Sequence, residues 1–177
     1  MAEKKRNKRQ IRLQDFEKNA EGKYEYRGTT YRFSGDFAYF MKRSWTLMVL
    51  IIIAVISGGL LPATGAMDTW YVLIPYGITV GAAGFCCYRL IQWSGGKGVI
   101  REYNYAKSVR GLPMSVKVLI WAASTTFFLE LFYLVSNGMG DYPLGAVVLL
   151  ISTAITVILA MVLERLISLQ SWEKQEV

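Results

Sequence analysis

Four long apolar segments dominate the pattern of hydrophobic and polar positions along the chain. They cover residues 44–61, 71–90, 116–135 and 144–163. Each approaches the roughly 20 residues that a helix needs to cross a hydrocarbon core of about 30 Å, and none alternates as a membrane strand does. The core helices of a soluble protein would carry polar faces that these segments lack. The pattern predicts an all-α integral membrane protein, with a bundle of four transmembrane helices in residues 44–167.

Lys and Arg are distributed unevenly between the segments. Residues 1–43 hold 12 of the 20 basic residues, and the connection 92–114 holds four more. The other two connections, residues 62–70 and 136–143, contain none. Because Lys and Arg are retained on the cytoplasmic side, we expect a multi-pass protein of the cell membrane. Both termini, including the short tail 168–177, are then cytoplasmic.

The polar segments predict small elements of their own. Residues 22–33, GKYEYRGTTYRF, alternate aromatic and polar side chains around Arg27-Gly28, which favours a small β-hairpin. Asp36 is placed to cap a short interfacial helix over residues 36–42. Residues 99–110, between the second and third spans, predict a short amphipathic helix.

The basic residues of the tail and of this connection form a candidate cytoplasmic surface for lipid or a partner. An anionic bilayer surface attracts each such charge by about 1 kcal/mol, although basic runs are also typical of solvated arms. No stacking platform or known module points to nucleic acid. We expect the lipid bilayer, with its anionic head groups, and a membrane-protein partner or second copy. The residues are Lys4, Lys5, Arg6, Lys8, Arg9, Arg101, Lys107 and Arg110.

The composition also limits the possible chemistry. The chain has no histidine, which excludes Ser–His and Cys–His nucleophiles and imidazole metal ligands. Cys86 and Cys87 are adjacent and lack CxxC spacing, so we interpret them as buried thiols, with palmitoylation as the alternative. We expect no catalytic or metal site, no cofactor and no enzymatic activity.

One carboxyl group, that of Glu130, lies inside an apolar segment, FFLELFY (127–133). Residues three and four apart share a helix face, so Phe128 and Phe132 point away from Glu130, to lipid. Its own face comprises Ala123, Thr126, Tyr133 and Asn137. On the other spans, the polar side chains expected at comparable depth are Ser57, Tyr76, Thr79 and Ser152.

Because every Lys and Arg is expected at the far end of the bundle, we expect Glu130 to be largely protonated and to donate a hydrogen bond. Two interpretations stay open. Neutral Glu130 fixes the helix register by bonding a hydroxyl, or it exchanges a proton or cation during transport.

Glycines and aromatic rings complete the predicted bundle. Small residues permit close helix packing, and Gly77 and Gly81 form a GxxxG pattern. The packing candidates are Gly58, Gly59, Gly77, Gly81 and Gly84. Amphipathic rings favour membrane interfaces, where we expect Trp45, Trp70, Tyr71, Trp93 and Tyr142.

The overall layout and residues 58–77, GGLLPATGAMDTWYVLIPYG, resemble small four-span membrane proteins of Gram-positive bacteria. The resemblance implies a bacterial source and no particular activity. We therefore expect a non-enzymatic accessory or scaffold subunit that binds a partner through its basic, aromatic cytoplasmic face. The alternative is a small oligomeric transporter in which Glu130 couples a proton or cation.

Overall fold

The computed structural model describes residues 16–18, 24–26, 29–63, 69–96, 98–101, 105, 109 and 111–175. Four helices contain most of them: α1 (Phe37–Leu60), α2 (Trp70–Ser94), α3 (Gly111–Asn137) and α4 (Pro143–Ser168). Each is long and apolar enough to cross a membrane. The prediction of four helices of membrane-spanning length is confirmed.

Local signals explain where the helices begin and end. The Asp36 carboxylate accepts a 3.0 Å hydrogen bond from the Tyr39 amide at the start of α1, as an N-cap does. Pro143 opens α4, at a position where its missing N–H is not needed. Gly138 ends α3 with φ +81°, a left-handed conformation that glycine adopts without a Cβ penalty.

The helices form an up-and-down bundle in which α1 packs against α4, α4 against α3, and α3 against α2, while α1 and α2 are in less extensive contact. We call the end where α1 and α3 begin the sheet end, and the opposite end the loop end. The helices exceed the predicted spans mainly at the sheet end. These extra turns contain or adjoin the basic residues Lys42, Arg43 and Lys117, so a purely apolar criterion leaves them out of the predicted spans. A membrane helix tolerates such residues near its ends because their long side chains can snorkel to the interface.

The outward faces of the bundle are apolar. Ile53, Ile78, Phe128 and Ile158 are each more than half exposed. A soluble bundle would place polar residues there, and a contiguous apolar surface of this extent indicates a site of contact with membrane or protein. The four helices fit a multi-pass helical bundle.

Two small sheets accompany the helices. Strands β1 (Phe16–Lys18) and β2 (Tyr24–Tyr26) pair antiparallel. Strand β3 (Thr30–Phe33) lies between β4 (Val99–Arg101) and β5 (Trp172–Gln175), antiparallel to both. This three-stranded sheet joins the N-terminal segment, the α2–α3 connection and the C-terminal segment.

The structure corrects three details of the predicted polar segments. Residues 22–33 do not form one hairpin, because β2 pairs with β1 whereas β3 pairs with β4 and β5. Residues 37–42 are the first turns of α1, continuous with the span. Residues 99–101 of the expected 99–110 helix are extended, and Tyr105 and Val109 have π-helical backbone. For β3 and β4 a partner distant in sequence decides the local conformation, which is a tertiary effect.

Candidate functional site

Glu130 lies wholly inside the bundle. Its exposed fraction is 0%, and Ala123, Thr126 and Tyr133 on the same face of α3 are also buried. Phe128 and Phe132 are 64% and 63% exposed, so the face of α3 is oriented as expected. Asn137, at the loop end of α3, is exposed. A carboxyl group in such surroundings is costly to ionise.

The basic residues are far from Glu130 along the bundle axis. Among the described residues from 29 onward, every Lys and Arg lies in the sheet or within about two turns of the sheet end of its helix. Lys117, on the same helix, is 13 residues away, or about 20 Å at 1.5 Å per residue. Lys117 instead approaches Glu164 of α4, with Nζ 3.8 Å from Oε1, an exposed contact that contributes little to stability.

Five hydroxyls of the predicted polar site donate to main-chain carbonyls. Thr79 donates to Pro75, and Thr126 to Ala122, at 2.9 Å each, and the two threonine oxygens are 3.5 Å apart across the α2–α3 contact. The others follow the same rule, with Ser57 donating to Ala54 at 2.8 Å, Tyr76 to Val55 at 2.6 Å and Ser152 to Leu149 at 2.9 Å.

This pattern decides what the hydroxyls offer to a carboxyl group. A hydroxyl has one proton to donate but two lone pairs that accept. Since the protons of these five hydroxyls are directed at carbonyls, what remains on them is acceptor capacity. A protonated carboxyl can donate to such oxygens, whereas an ionised one is an acceptor only. Because Glu130 is fully buried, its ionised form is costly, and the neutral form stays a prediction.

Additional buried hydroxyls extend the polar interior along α4. Thr153 and Thr156 are 3% and 1% exposed, and they donate to the carbonyls of Leu149 and Ser152 at 2.8 Å. Sequence reasoning missed both residues. Thr156 is four positions from Ser152 and three from Thr153, and this spacing was the available signal for a shared helix face.

The predicted packing glycines divide into two groups. A Cβ at Gly58 would collide with the Ser152 hydroxyl and one at Gly59 with the Tyr76 hydroxyl, so these two glycines let α1 approach α4 and α2 closely. Gly77, Gly81 and Gly84 are exposed, with no atom near enough to contact an added Cβ. The GxxxG face of α2 points out of the bundle and packs against no described residue of this chain.

A cluster of aromatic rings fastens the three-stranded sheet to the helices. Phe33 of β3 is 6% exposed and lies with its ring centroid 5.1 Å from that of Phe40 and 5.3 Å from that of Trp172. Trp93 of α2 is 5.3 Å from Phe40 and 5.8 Å from Trp172. Trp93 is only 1% exposed, so it is a core residue and not the interfacial ring that the sequence predicts.

The cluster extends to the α2–α3 connection. The rings of Tyr31 and Tyr105 stack with centroids 3.9 Å apart, and Tyr105 also lies 5.7 Å from Trp172. Sequence reasoning found the aromatic strand residues but not their partners. Contacts between residues about 70 to 140 positions apart leave no local pattern.

The outer surface of the sheet end is mainly basic, and Asp36 and Glu173 are exposed there as well. Arg32, Lys42, Arg43 and Lys174 are exposed, and the Arg101 backbone lies opposite Thr30 at the end of β4. The remaining predicted surface residues lie outside the described residues: Lys4, Lys5, Arg6, Lys8, Arg9, Lys107 and Arg110. Sequence reasoning did not include Arg32 and Lys174, which the sheet brings onto the same end of the molecule as Arg101.

The structure shows no metal centre in the part of the chain that it describes, where no three His, Cys, Asp or Glu residues are grouped as ligands. Cys86 and Cys87 are free thiols. Cys86 is 0% exposed and Cys87 is half-buried, so a palmitoyl group at Cys86 would require the helix packing to open. No protein-family model, curated protein or solved structure matches the chain.

Proposed function

We propose that this is a non-enzymatic accessory or scaffold subunit of the cell membrane, which binds a partner through its basic sheet end. The observation that carries the proposal is the three-stranded sheet. It joins three distant chain segments into one folded surface and anchors that surface to the bundle through Phe33, Trp93 and Trp172. A chain that only crosses the bilayer does not need to order its polar ends in this way, since ordering them costs conformational entropy.

The charges support an orientation with this surface in the cytoplasm. Lys and Arg gather at the sheet end, whereas Asp141 at the loop end is exposed and acidic. Retention of basic residues on the cytoplasmic side then places both termini inside. A partner with an acidic surface suits the exposed Arg32, Lys42, Arg43 and Lys174, and anionic lipid head groups suit the same charges where they meet the bilayer.

The test is site-specific photo-crosslinking in growing cells. A photoreactive residue in place of Glu173, exposed on β5, is expected to capture a defined protein. The matched control replaces Tyr142, exposed at the loop end. The double variant Arg32→Glu with Lys174→Glu should abolish capture at position 173, while Asp141→Asn should not. Equal capture from both ends, or capture insensitive to the reversed charges, would contradict a basic docking surface.

A second function is favoured by the buried polar interior. Glu130, Thr126, Thr79 and Thr156 are fully or almost fully buried among apolar helices, and an ionisable residue within a membrane segment is a candidate for proton or ion coupling. The alternative proposal is a small oligomeric transporter that uses Glu130 as its coupling site. The outward glycine face of α2 offers a smooth surface on which a second copy can pack.

Infrared spectroscopy of the protein in lipid separates the two roles of Glu130. The carboxyl band is identified by comparison with Glu130→Gln and followed across pH, with and without added cations. A carboxyl group that stays protonated at neutral pH, with a band that does not shift when cations are added, supports a structural hydrogen bond. A band that titrates near neutrality and shifts with a cation, together with proton-linked flux in vesicles, would make transport the leading function.

A further inference from the structure

A groove of about 360 Å³ lies between α2 and α3 near the sheet end. It is lined by Ala82, Phe85 and Arg89 of α2 and by Gly111, Met114 and Val118 of α3, together with Ser115. Phe85, Met114 and Val118 are each about half exposed or more, so the groove opens on the outward, apolar side of the bundle. None of the residues that line it is acidic.

The polarity of the groove changes along its length. Arg89 and Gly111 lie at its sheet end, and Ala82 and Val118 lie deeper, about 10 Å along the helix axes. The lining is thus cationic near the expected membrane surface and apolar toward the middle of the bundle. A phospholipid in the leaflet on the sheet side has the same order, with its phosphate near the surface and its acyl chains toward the middle.

The local packing holds the Arg89 guanidinium at the mouth of the groove. A Cβ at residue 111 would collide with it, so glycine at the start of α3 makes room for the charge. On its other side the Arg89 Cζ lies 4.6 Å from the centre of the Phe85 ring, in cation–π contact. The guanidinium has five N–H donors in a planar fork that matches phosphate geometry, so it can bind a phosphate while keeping its other contacts.

We propose that this groove binds one anionic phospholipid, with the phosphate at Arg89 and Gly111 and the upper part of an acyl chain between Ala82 and Val118. A soluble anion would leave the apolar part of the groove unfilled. A zwitterionic lipid fits the shape but has no net charge to complement Arg89. This site is distinct from the exposed basic residues of the sheet, which face away from the hydrocarbon.

Native mass spectrometry of the purified full chain in mild detergent tests the proposal. The chain is titrated with phosphatidylglycerol and, separately, with phosphatidylcholine of the same acyl composition. We expect one phosphatidylglycerol to be retained more tightly than any phosphatidylcholine. Arg89→Gln should weaken that first binding step about fivefold or more, the effect of removing one cation near an anionic head group.

Two further variants make the result specific. Arg43→Gln removes an exposed charge at the sheet end of α1, outside the groove, and should change binding by less than about twofold. Val118→Trp fills the apolar part without altering charge and should reduce binding of both lipids. Equal affinity for the two lipids, equal weakening by Arg43→Gln and Arg89→Gln, or unchanged binding in Val118→Trp would each overturn the proposed site. Because Val118 is exposed, Val118→Trp should not disturb the core. It therefore still tests the site if Arg89→Gln folds poorly.

Discussion

At the scale of single residues, the protonation of Glu130 is the point with the most consequence. The carboxyl group is fully buried, where its ionised form is costly. Glu130→Gln, which is neutral and almost isosteric, should therefore change the free energy of unfolding by less than about 1 kcal/mol, within the net value of one neutral hydrogen bond.

Reversible unfolding in mixed micelles at neutral pH measures this difference. Glu130→Leu is the companion variant, since it removes the polar group altogether and shows what the hydrogen bond contributes. Severe loss of stability in Glu130→Gln would mean that the ionised form is required, and that the predicted neutral state is wrong.

Gly145 was not among the glycines predicted to pack, yet it gives a packing prediction more specific than theirs. A Cβ at Gly145, in the first turn of α4, would collide with the main-chain carbonyl of Pro62. Backbone cannot move aside as a side-chain tip can, so Gly145→Ala should destabilise the fold by about 1–3 kcal/mol, the usual cost of overpacking.

Gly81→Ala is the matched control, because nothing lies within contact distance of its Cβ position. That substitution should be neutral, or stabilising by up to about 1 kcal/mol through helix propensity. Thermal unfolding of the two variants side by side gives the comparison. If Gly81→Ala instead lowers the stability of an oligomer, the outward GxxxG face packs against a second copy.

At the scale of elements, the three-stranded sheet depends on the aromatic cluster. Phe33 is buried against Phe40 and Trp172, and truncating such a ring typically costs about 3–5 kcal/mol. The sheet holds far fewer contacts than the helices, so this loss should release β5 while the bundle persists. We expect Phe33→Ala to make the C-terminal segment sensitive to protease with nearly unchanged helix content by circular dichroism.

Phe128→Ala is the control for this experiment, since Phe128 is 64% exposed on the outside of the bundle and lies far from β5. It should leave the protease pattern unchanged. Loss of helix content in Phe33→Ala would show that the sheet and the bundle unfold as one unit.

The same contrast explains which elements the sequence predicts. The helices are recognisable because each apolar segment is long and its stabilising hydrogen bonds are local. The buried face of α3, from Ala123 to Tyr133, follows from helical spacing alone. Strands β3, β4 and β5 are three or four residues long, and each pairs with a segment that is distant in sequence, so residues 99–101 resemble a helix when read alone.

The candidate sites divide in the same way. Glu130 and its face could be found from sequence because a carboxyl group in an apolar segment is conspicuous. The position of the Arg89 guanidinium could not be found from sequence, since it depends on Gly111 of another helix and on the ring of Phe85. Thr153 and Thr156 lay within reach of helical periodicity and were missed because threonine is common in apolar spans.

At the scale of the whole molecule, the separation of charge between the two ends predicts one orientation in the membrane. We expect the sheet end inside the cell and the loop end outside, because Lys and Arg resist translocation. Single-cysteine reporters in a background with Cys86→Ala and Cys87→Ala report this directly. Asp141→Cys should react with a membrane-impermeant maleimide in intact cells, whereas Ser34→Cys should react only after lysis. Both parent positions are exposed, so a difference in labelling reflects the side of the membrane and not burial.

The opposite labelling pattern would place the basic sheet outside the cell, where a cytoplasmic partner cannot reach it. It would also move the Arg89 groove to the outer leaflet. Labelling of both positions in intact cells would mean that the two ends lie on the same side, and the four helices would then not cross the bilayer as an up-and-down bundle.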